Sequence, residues 1–344
     1  MTPDATRADE CRATGAASAS GAASASATAI TAQAGAKAPA ENFPVALRFL
    51  PRGYRGHLAA VYGFARSADD MGDEAAARER LDLLDELEAD LNRLYRMVSR
   101  AGTAGSRGPS QGGPGSANEG PGGEGTGSGG TGYADADGGP PRLAVVRALA
   151  PAVVTCAIPA QPFHDLIAAN RQDQVVSRYP TYGDLLEYCR LSANPVGRIV
   201  LHIFGAATPE REALSDQVCT ALQLAEHWQD VAEDQRAGRI YLPQEDMDRF
   251  GCAERDLAAP SAAPKVRALI AFERQRARDL LDAGAPIVGT LRGAARAAVA
   301  GYVAGGRAAL AAIAASGHDV LRATPRPAKA RVAAELVRAY ATGR

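Results

Sequence analysis

The stretch LQLAEHWQDVAEDQRAGRIYLP, from Leu222 to Pro243, decides the fold prediction for this chain. Apolar residues such as Leu222 and Ala225 recur in it at helical spacing, and Asp230 and Asp234 follow one helical turn apart. Because residues four apart lie on the same side of a helix, the two carboxylates share one face. The stretch therefore predicts an amphipathic helix that carries a short ladder of acidic groups.

Most of the chain outside two low-complexity tracts has the same helical spacing of apolar residues. Two further examples are the runs Leu58, Val61, Ala65, Ala68 and Leu81, Leu84, Leu87, Leu91, Leu94. Alternating apolar and polar residues, which are typical of a half-buried strand, are hard to find, and prolines lie near the proposed helix ends. We predict a single all-α domain of roughly ten helices.

The low-complexity tracts are residues 1–40 and 101–141, which are rich in small residues and glycine. Such segments bury too little apolar surface to offset the entropy of ordering the backbone, which costs about 1 to 2 kcal/mol per residue. We predict that both tracts are disordered, and that residues 41–344 form the folded domain, interrupted by the second tract.

Composition limits the classes of function. The chain has 344 residues, a formal net charge of −1 and five cysteines, none of which forms a C-x-x-C pair. The near-neutral charge argues against a nucleic-acid partner, and the cysteine pattern argues against a zinc site or a disulfide framework. The first residues lack the features of a secretory signal, and no long apolar run is uninterrupted. We predict a cytoplasmic protein without a membrane-spanning segment.

A second acidic ladder lies near the start of the folded domain. Each ladder joins polar groups to two aspartates at helical spacing: Tyr62, Arg66, Asp69 and Asp73 in the first, and Gln223, Glu226, Asp230 and Asp234 in the second. Two carboxylates about 4 Å apart repel by roughly 4 kcal/mol even at an effective dielectric near 20, so facing ladders require a cation. Magnesium binds one or two carboxylates together with phosphate oxygens. The paired ladders therefore predict a magnesium–diphosphate site.

Two other interpretations stay open at this level. An acidic helix face is usually a solvated surface, in which case the protein is a helical scaffold. The pairs His164-Asp165 and His318-Asp319 hint at a metal phosphohydrolase, although the five histidines supply no further ligands in helical register with them. Magnesium-dependent binding of diphosphate separates the scaffold from an enzyme.

Three segments resemble the squalene and phytoene synthases, which are condensing enzymes of the all-α isoprenoid (terpenoid) synthase fold. They are YGFARSADDMGDE (Tyr62 to Glu74), YCRLSANPVG (Tyr188 to Gly197) and the stretch quoted above. Together with ENFPVALRFLP (Glu41 to Pro51), they look most like the hopanoid-pathway branch of this family, the hydroxysqualene synthases. The resemblance implies a single domain with a central cavity between its helices.

The resemblance also implies an activity. Enzymes of that branch ionise presqualene diphosphate on Mg²⁺, let the cation rearrange and capture it with water to give hydroxysqualene, so no NADPH is expected. The implied partners are a prenyl diphosphate substrate (presqualene or farnesyl diphosphate), other enzymes of squalene and hopanoid synthesis, and the inner face of the plasma membrane as a peripheral contact. Head-to-head condensation of two prenyl diphosphates, as in presqualene diphosphate, squalene and phytoene synthases, is the alternative activity.

Residue roles are implied where positions match the family. The implied magnesium ligands are Asp69, Asp73, Asp230 and Asp234, and Tyr62 and Tyr188 match aromatic positions near the reacting carbons. The implied substrate-binding residues are Asn42, Arg66, Gln223, Glu226, Arg239 and Tyr241. The phytoene synthase pattern has Asn in place of Glu226, Arg in place of Gln229 and Ser in place of Asn42. These departures leave the choice of substrate open.

Overall fold

A computed structural model describes residues 50–105 and 139–344. These residues form fourteen helices, ten of them with ten or more residues, and contain no strand beyond an isolated bridge between Arg178 and Ile240. The all-α prediction is confirmed. In chain order the helices are α1 Arg52–Asp73, α2 Arg80–Gly105, α3 Ala144–Cys156, α4 Gln161–Gln172, α5 Tyr182–Ser192, α6 Asn194–Ile203, α7 Pro209–Gln229, α8 Val231–Arg236, α9 Gln244–Arg249, α10 Glu254–Leu257, α11 Pro264–Gly284, α12 Ile287–Thr290, α13 Gly293–Ala315 and α14 Lys329–Thr342.

The predicted tract 1–40, and the part of the tract 101–141 from residue 106 to 138, lie outside the described residues. Helix α2 continues to Gly105, so the first residues of the second tract belong to its last turn. Residues 139–141 have no regular structure.

One hydrophobic core lies among α1, α2, α3, α4 and α6. The leucine stripe of α2 is fully buried from Leu83 to Leu94, whereas Leu81 in its first turn is 48% exposed. Phe64 of α1 meets Phe163 of α4 edge to face, with ring centroids 5.1 Å apart. This core fixes the end of α1, where the first acidic ladder lies.

A second core surrounds α7, which packs along α11, α13 and α6. Trp228 is fully buried in it, two residues before Asp230 of the second acidic ladder. Phe204, which follows α6, packs against both cores. The two cores therefore adjoin, and each positions one of the predicted acidic motifs.

Glycines allow two of the helices around α7 to approach it closely. A side chain at Gly197 of α6 would collide with Ser215 and Cys219 of α7. A Cβ atom at Gly284 of α11 would lie 2.6 Å from the main-chain oxygen of Leu214, well inside van der Waals contact. Small residues at these crossings set how closely α6, α7 and α11 pack.

Helix α13 is, within the described residues, the one helix long and apolar enough to cross a membrane by length and composition. Half of its most apolar window is buried, and it packs against α7, α11 and α14. Gly306 at its centre contacts Leu222 and Leu281. These contacts are those of a core helix in a globular fold.

Candidate active site

The first acidic ladder lies at the C-terminal end of α1, against α4. Asn170 donates a hydrogen bond from Nδ2 to Asp69 Oδ1 at 3.1 Å. A Cβ atom at Gly72 would lie 2.6 Å from Asn170 Oδ1, so glycine permits α1 and α4 to meet here. Burial raises the pKa of Asp69 to about 6, and the charge of Asp73 adds to the effect. The Asp69 side chain is nevertheless accessible to solvent.

Asp73 connects the two motifs directly. Arg239 donates from Nη2 to Asp73 Oδ1 at 2.6 Å, across 166 residues of sequence. The loop that carries Arg239 is fixed on the segment after α4, because Ile240 donates its N–H to Ser177 O at 3.0 Å and Arg178 donates to Gly238 O at 2.7 Å. The structure therefore brings the predicted residues Asp73 and Arg239 together.

The second ladder differs from the prediction in one respect. We predicted one continuous helix through Asp230 and Asp234, but α7 ends at Gln229 and α8 begins at Val231. Asp230 leaves the helical backbone region, with φ −104° and ψ 15°. The N–H of Asp234 still donates to Asp230 O at 2.9 Å, so the spacing of one turn is kept across the break.

Both aspartates of the second ladder have raised pKa values, so they bind their protons more strongly than usual. Burial raises the pKa of Asp234 to about 7, with a contribution from Asp230, while Arg239 acts in the opposite direction. Burial and Glu233 also raise the pKa of Asp230, whereas Thr324 and Arg326 oppose the rise. Arg239 therefore lies within electrostatic range of both ladders, paired with Asp73 on one side and close to Asp234 on the other.

Asp173, just after α4, is a site residue that the sequence analysis missed. Tyr188 donates its hydroxyl to Asp173 Oδ2 at 2.8 Å, while Asp173 Oδ1 is buried without a hydrogen-bond partner among the described residues. Burial raises its pKa to about 6, and the charges of Asp69 and Asp73 raise it further. Its position in the sequence gives no helical register with either ladder, so spacing could not have identified it.

The donor set fits magnesium that arrives with a diphosphate. Within the part of the chain that the structure describes, no three His, Cys, Asp or Glu side chains are close enough to enclose a metal ion. Magnesium usually keeps several waters and takes one or two carboxylates together with phosphate oxygens, so it needs no closed protein cage. Asp69, Asp73 and the free oxygen of Asp173 on one side, with Asp230 and Asp234 on the other, supply the required hard oxygen donors.

Four aromatic rings pack beside these carboxylates. His227 stacks on Tyr241 with centroids 3.7 Å apart, and Tyr179 and Tyr188 each lie within 6 Å of the Tyr241 ring. Burial lowers the pKa of His227 to about 3, so its imidazole is neutral at physiological pH. Gln223 contacts His227, with Nε2 to Nε2 at 3.2 Å. Tyr188, Tyr241 and Gln223 were predicted site residues, whereas Tyr179 and His227 were not.

A narrow recess of about 10 Å³ opens between α7, α8 and the loop after it. Asp234, Arg239, Tyr241 and His227 line its polar and aromatic side, and Leu257 closes it from α10. A volume of this size holds about one water molecule.

The remaining predicted site residues lie around this centre. Arg66 pairs with Asp70 at 2.9 Å and Glu74 at 3.3 Å along α1, and its charge also lowers the pKa of Asp69. Tyr62 is half-buried two turns before Asp69. Glu226 is exposed on α7, and its charge raises the pKa of Asp234. Asn42 lies outside the described residues.

Comparisons with known proteins identify relatives of this chain and of its helical fold. The sequence profile of the squalene/phytoene synthase family matches residues 36–333. Hydroxysqualene synthase from Rhodopseudomonas palustris is 29% identical over 255 residues, covering 73% of this chain and 72% of that protein. The same enzyme from Zymomonas mobilis is 31% identical over 246 residues, covering 70% and 67%. The crystal structure of squalene synthase HpnC from Alicyclobacillus acidocaldarius superposes with a TM-score of 0.66 at 36% identity, covering 85% of this chain and 95% of that one.

Proposed function

Because the chain belongs to the squalene/phytoene synthase family, we propose that it ionises presqualene diphosphate with Mg²⁺ and captures the rearranged cation with water, which gives hydroxysqualene. The family acts on prenyl diphosphates, and two of its similar relatives are hydroxysqualene synthases. The observation that carries the proposal is the contact between Arg239 and Asp73, because it joins the two acidic motifs at one site.

The acidic residues and Arg239 would act on the leaving group. Asp69, Asp73, Asp230 and Asp234 would hold the magnesium, which would supply Lewis-acid neutralisation of the diphosphate charge. Arg239 supplies charge-assisted hydrogen bonds to its oxygens, which are stronger than hydrogen bonds between neutral groups. The Asp73 carboxylate fixes the direction of the Arg239 guanidinium before any ligand binds. Preorganised charge of this kind stabilises a transition state without the cost of reorganisation.

The aromatic cluster would act on the carbocation. Rings such as Tyr188 and Tyr241 present π faces that attract a cation by about 1 to 2 kcal/mol each when water is excluded. Both side chains are buried, with 5% and 8% exposure. His227 is neutral, so it adds no positive charge that would repel the cation. A buried, uncharged and aromatic wall therefore suits a reaction that passes through positive carbon centres.

Water ends the reaction in this proposal, so NADPH is not required. Tyr188 donates its hydroxyl to Asp173, which leaves a lone pair of the phenol oxygen free to accept from a water molecule. Tyr188 can orient this water beside the aromatic cluster. As it accepts the proton of the captured water, it can pass its own hydroxyl proton to Asp173 Oδ2.

One assay tests the proposal. Purified protein with Mg²⁺ receives presqualene, farnesyl or geranylgeranyl diphosphate, with and without NADPH, and mass spectrometry identifies the products. We expect hydroxysqualene from presqualene diphosphate, with the same yield when NADPH is omitted and none when Mg²⁺ is chelated. Turnover of farnesyl diphosphate without use of presqualene diphosphate would contradict the proposal.

Head-to-head condensation of two prenyl diphosphates is the second candidate, because the matching family profile also describes phytoene synthases. Presqualene diphosphate formed from farnesyl diphosphate, or phytoene formed from geranylgeranyl diphosphate, would support it in the same assay. A helical scaffold is disfavoured by the family match, because the relatives in this family are enzymes.

A further inference from the structure

Helix α14 is amphipathic in the opposite sense to a normal surface helix. Its inner face carries a charged group, Glu335, which is 6% exposed and accepts a hydrogen bond from Arg331 at 3.1 Å. Its outer face is apolar, with Val337 69% exposed and Tyr340 45% exposed. The rest of that face consists of exposed alanines: Ala330, Ala333, Ala334 and Ala341.

The apolar exposure is concentrated on this helix. Seven large hydrophobic side chains are exposed among the described residues. Three of them lie in one five-residue segment of α14: Leu336, Val337 and Tyr340. A cluster of this kind usually marks an interaction surface, whereas single exposed apolar residues need no explanation.

Positive charge surrounds the same face. Residues 322–344 contain six Lys or Arg and one acidic residue, Glu335, in a chain whose net charge is −1. The exposed cations are Arg322, Arg326, Lys329, Arg331, Arg338 and Arg344. An apolar helix face flanked by cations matches an anionic bilayer, in which apolar side chains enter the acyl region and cations remain among phosphate groups.

A pocket at the C-terminal end of α14 adds a place for a phosphate group. Gly343, which caps α14, lies against Gly289, and the next residues Thr290 and Arg292 line a pocket of about 360 Å³. Arg211 lines this pocket, and among the described residues it donates only to neutral oxygens: Thr290 O at 2.8 Å, Ala206 O at 3.0 Å and Thr290 Oγ1 at 3.3 Å. Arg292 has no carboxylate within ion-pair distance among the described residues, so both guanidinium groups can bind an anion.

We propose that the outer face of α14 and this adjoining two-arginine pocket form a surface that binds anionic phospholipid bilayers. The segment that leads into α14 lies near the candidate active site. Gln229 donates to Pro325 O, and the charge of Arg326 lowers the pKa of Asp230. A bilayer on α14 therefore lies beside the site. The proposal does not depend on the proposed reaction, since binding to lipid is measured without substrate.

Sedimentation with vesicles tests the proposal. The full chain is mixed with phosphatidylcholine vesicles or with vesicles that also contain phosphatidylglycerol, and the bound fraction is measured. We expect binding only with phosphatidylglycerol, and release at high salt because screening weakens charge attraction. Equal binding to both vesicle types, or no binding to either, would overturn the proposal.

Two variants with matched controls locate the surface. V337D/Y340D should lower the apparent affinity about tenfold or more, while V154D, which changes a valine on α3 that is 61% exposed, should not. R292Q should lower the apparent affinity for vesicles about fivefold, while R255Q on α10 should leave that affinity unchanged. Circular dichroism shows that each variant is folded.

The outcomes separate lipid from protein as the occupant of this face. Unchanged lipid binding by V337D/Y340D would remove α14 from the proposal, and unchanged binding by R292Q would remove the pocket. If V337D/Y340D instead converts a dimer into a monomer in light scattering, the face is an interface between two copies of the chain and the lipid proposal is wrong.

Discussion

Arg239 is the residue whose contacts join the two acidic motifs. It pairs with Asp73 at 2.6 Å and lies within electrostatic range of Asp234 and Asp173. The pair is partly exposed, so it contributes at most about 1 kcal/mol to folding. The proposed function therefore assigns Arg239 a role in binding and catalysis, and the pair adds little to stability.

We expect Arg239→Gln to lower kcat/KM for the prenyl diphosphate about 100-fold or more, because a charged donor to the leaving group is lost. Arg236→Gln is the matched control, since Arg236 is exposed in the same segment and, within the described part of the chain, donates only to Ala232 O. Steady-state kinetics on both variants make the measurement. Equal activity of the two variants would show that Arg239 does not contact the diphosphate.

Asp173 gives a second test at this scale. We expect Asp173→Asn to raise the Mg²⁺ concentration for half-maximal activity about tenfold, because the amide replaces a carboxylate oxygen that has no hydrogen-bond partner among the described residues. Asp248→Asn is the control, since Asp248 is exposed on α9 and accepts from Gln244. A magnesium titration that is identical for both variants would argue that Asp173 acts only through Tyr188.

At the scale of elements, spacing predicted the helices because apolar residues at helical period must face a core. Both acidic ladders were predicted from the same helical period, because residues four apart share one face of a helix. The break at Asp230 was not predicted, because Asp234 N–H still bonds to Asp230 O and the four-residue spacing is unchanged by the break. Asp173 and Tyr179 could not be predicted, since they join the site through the path of the chain after α4 and not through any period.

The crossing of α7 and α11 depends on glycine. We expect Gly284→Ala to lower the free energy of unfolding by about 1 to 3 kcal/mol, because its Cβ would lie 2.6 Å from Leu214 O and force the helices apart. Gly301→Ala in α13 is the control, because no atom lies within 4 Å of its new Cβ; it should gain about 0.5 to 1 kcal/mol. Urea unfolding measures both, and a neutral Gly284→Ala would show that the crossing can relax.

At the scale of the whole molecule, the acidic groups with raised pKa values link stability to pH. The pKa values of Asp69 and Asp173 are raised to about 6 and that of Asp234 to about 7, so the folded chain binds their protons more strongly than the unfolded chain does. Stability from these groups is present below about pH 4 and is lost as the pH rises to about 7. Groups with lowered pKa values, such as Glu88 and Asp319, change in the opposite direction at lower pH.

We therefore expect Asp234→Asn to become more stable relative to the wild type as the pH rises from about 4 to about 7.5. The measurement is urea unfolding of both proteins without Mg²⁺ at several pH values. Groups such as Glu88 are present in both proteins and cancel in the difference. A difference that does not vary with pH would mean that Asp234 has an ordinary pKa in the folded protein.

The contact between Arg239 and Asp73 also has a consequence for how the chain matures. Asp73 and Arg239 are 166 residues apart in sequence, so their contact closes a long loop of the chain. Closing this loop is slow compared with forming local helices, because most loop entropy is lost before the contact is gained. A refolding chain that has regained its helical signal still lacks a working centre until these distant segments meet. In stopped-flow refolding, catalytic activity should therefore return later than the helical circular dichroism signal. During this delay the molecule is helical but inactive.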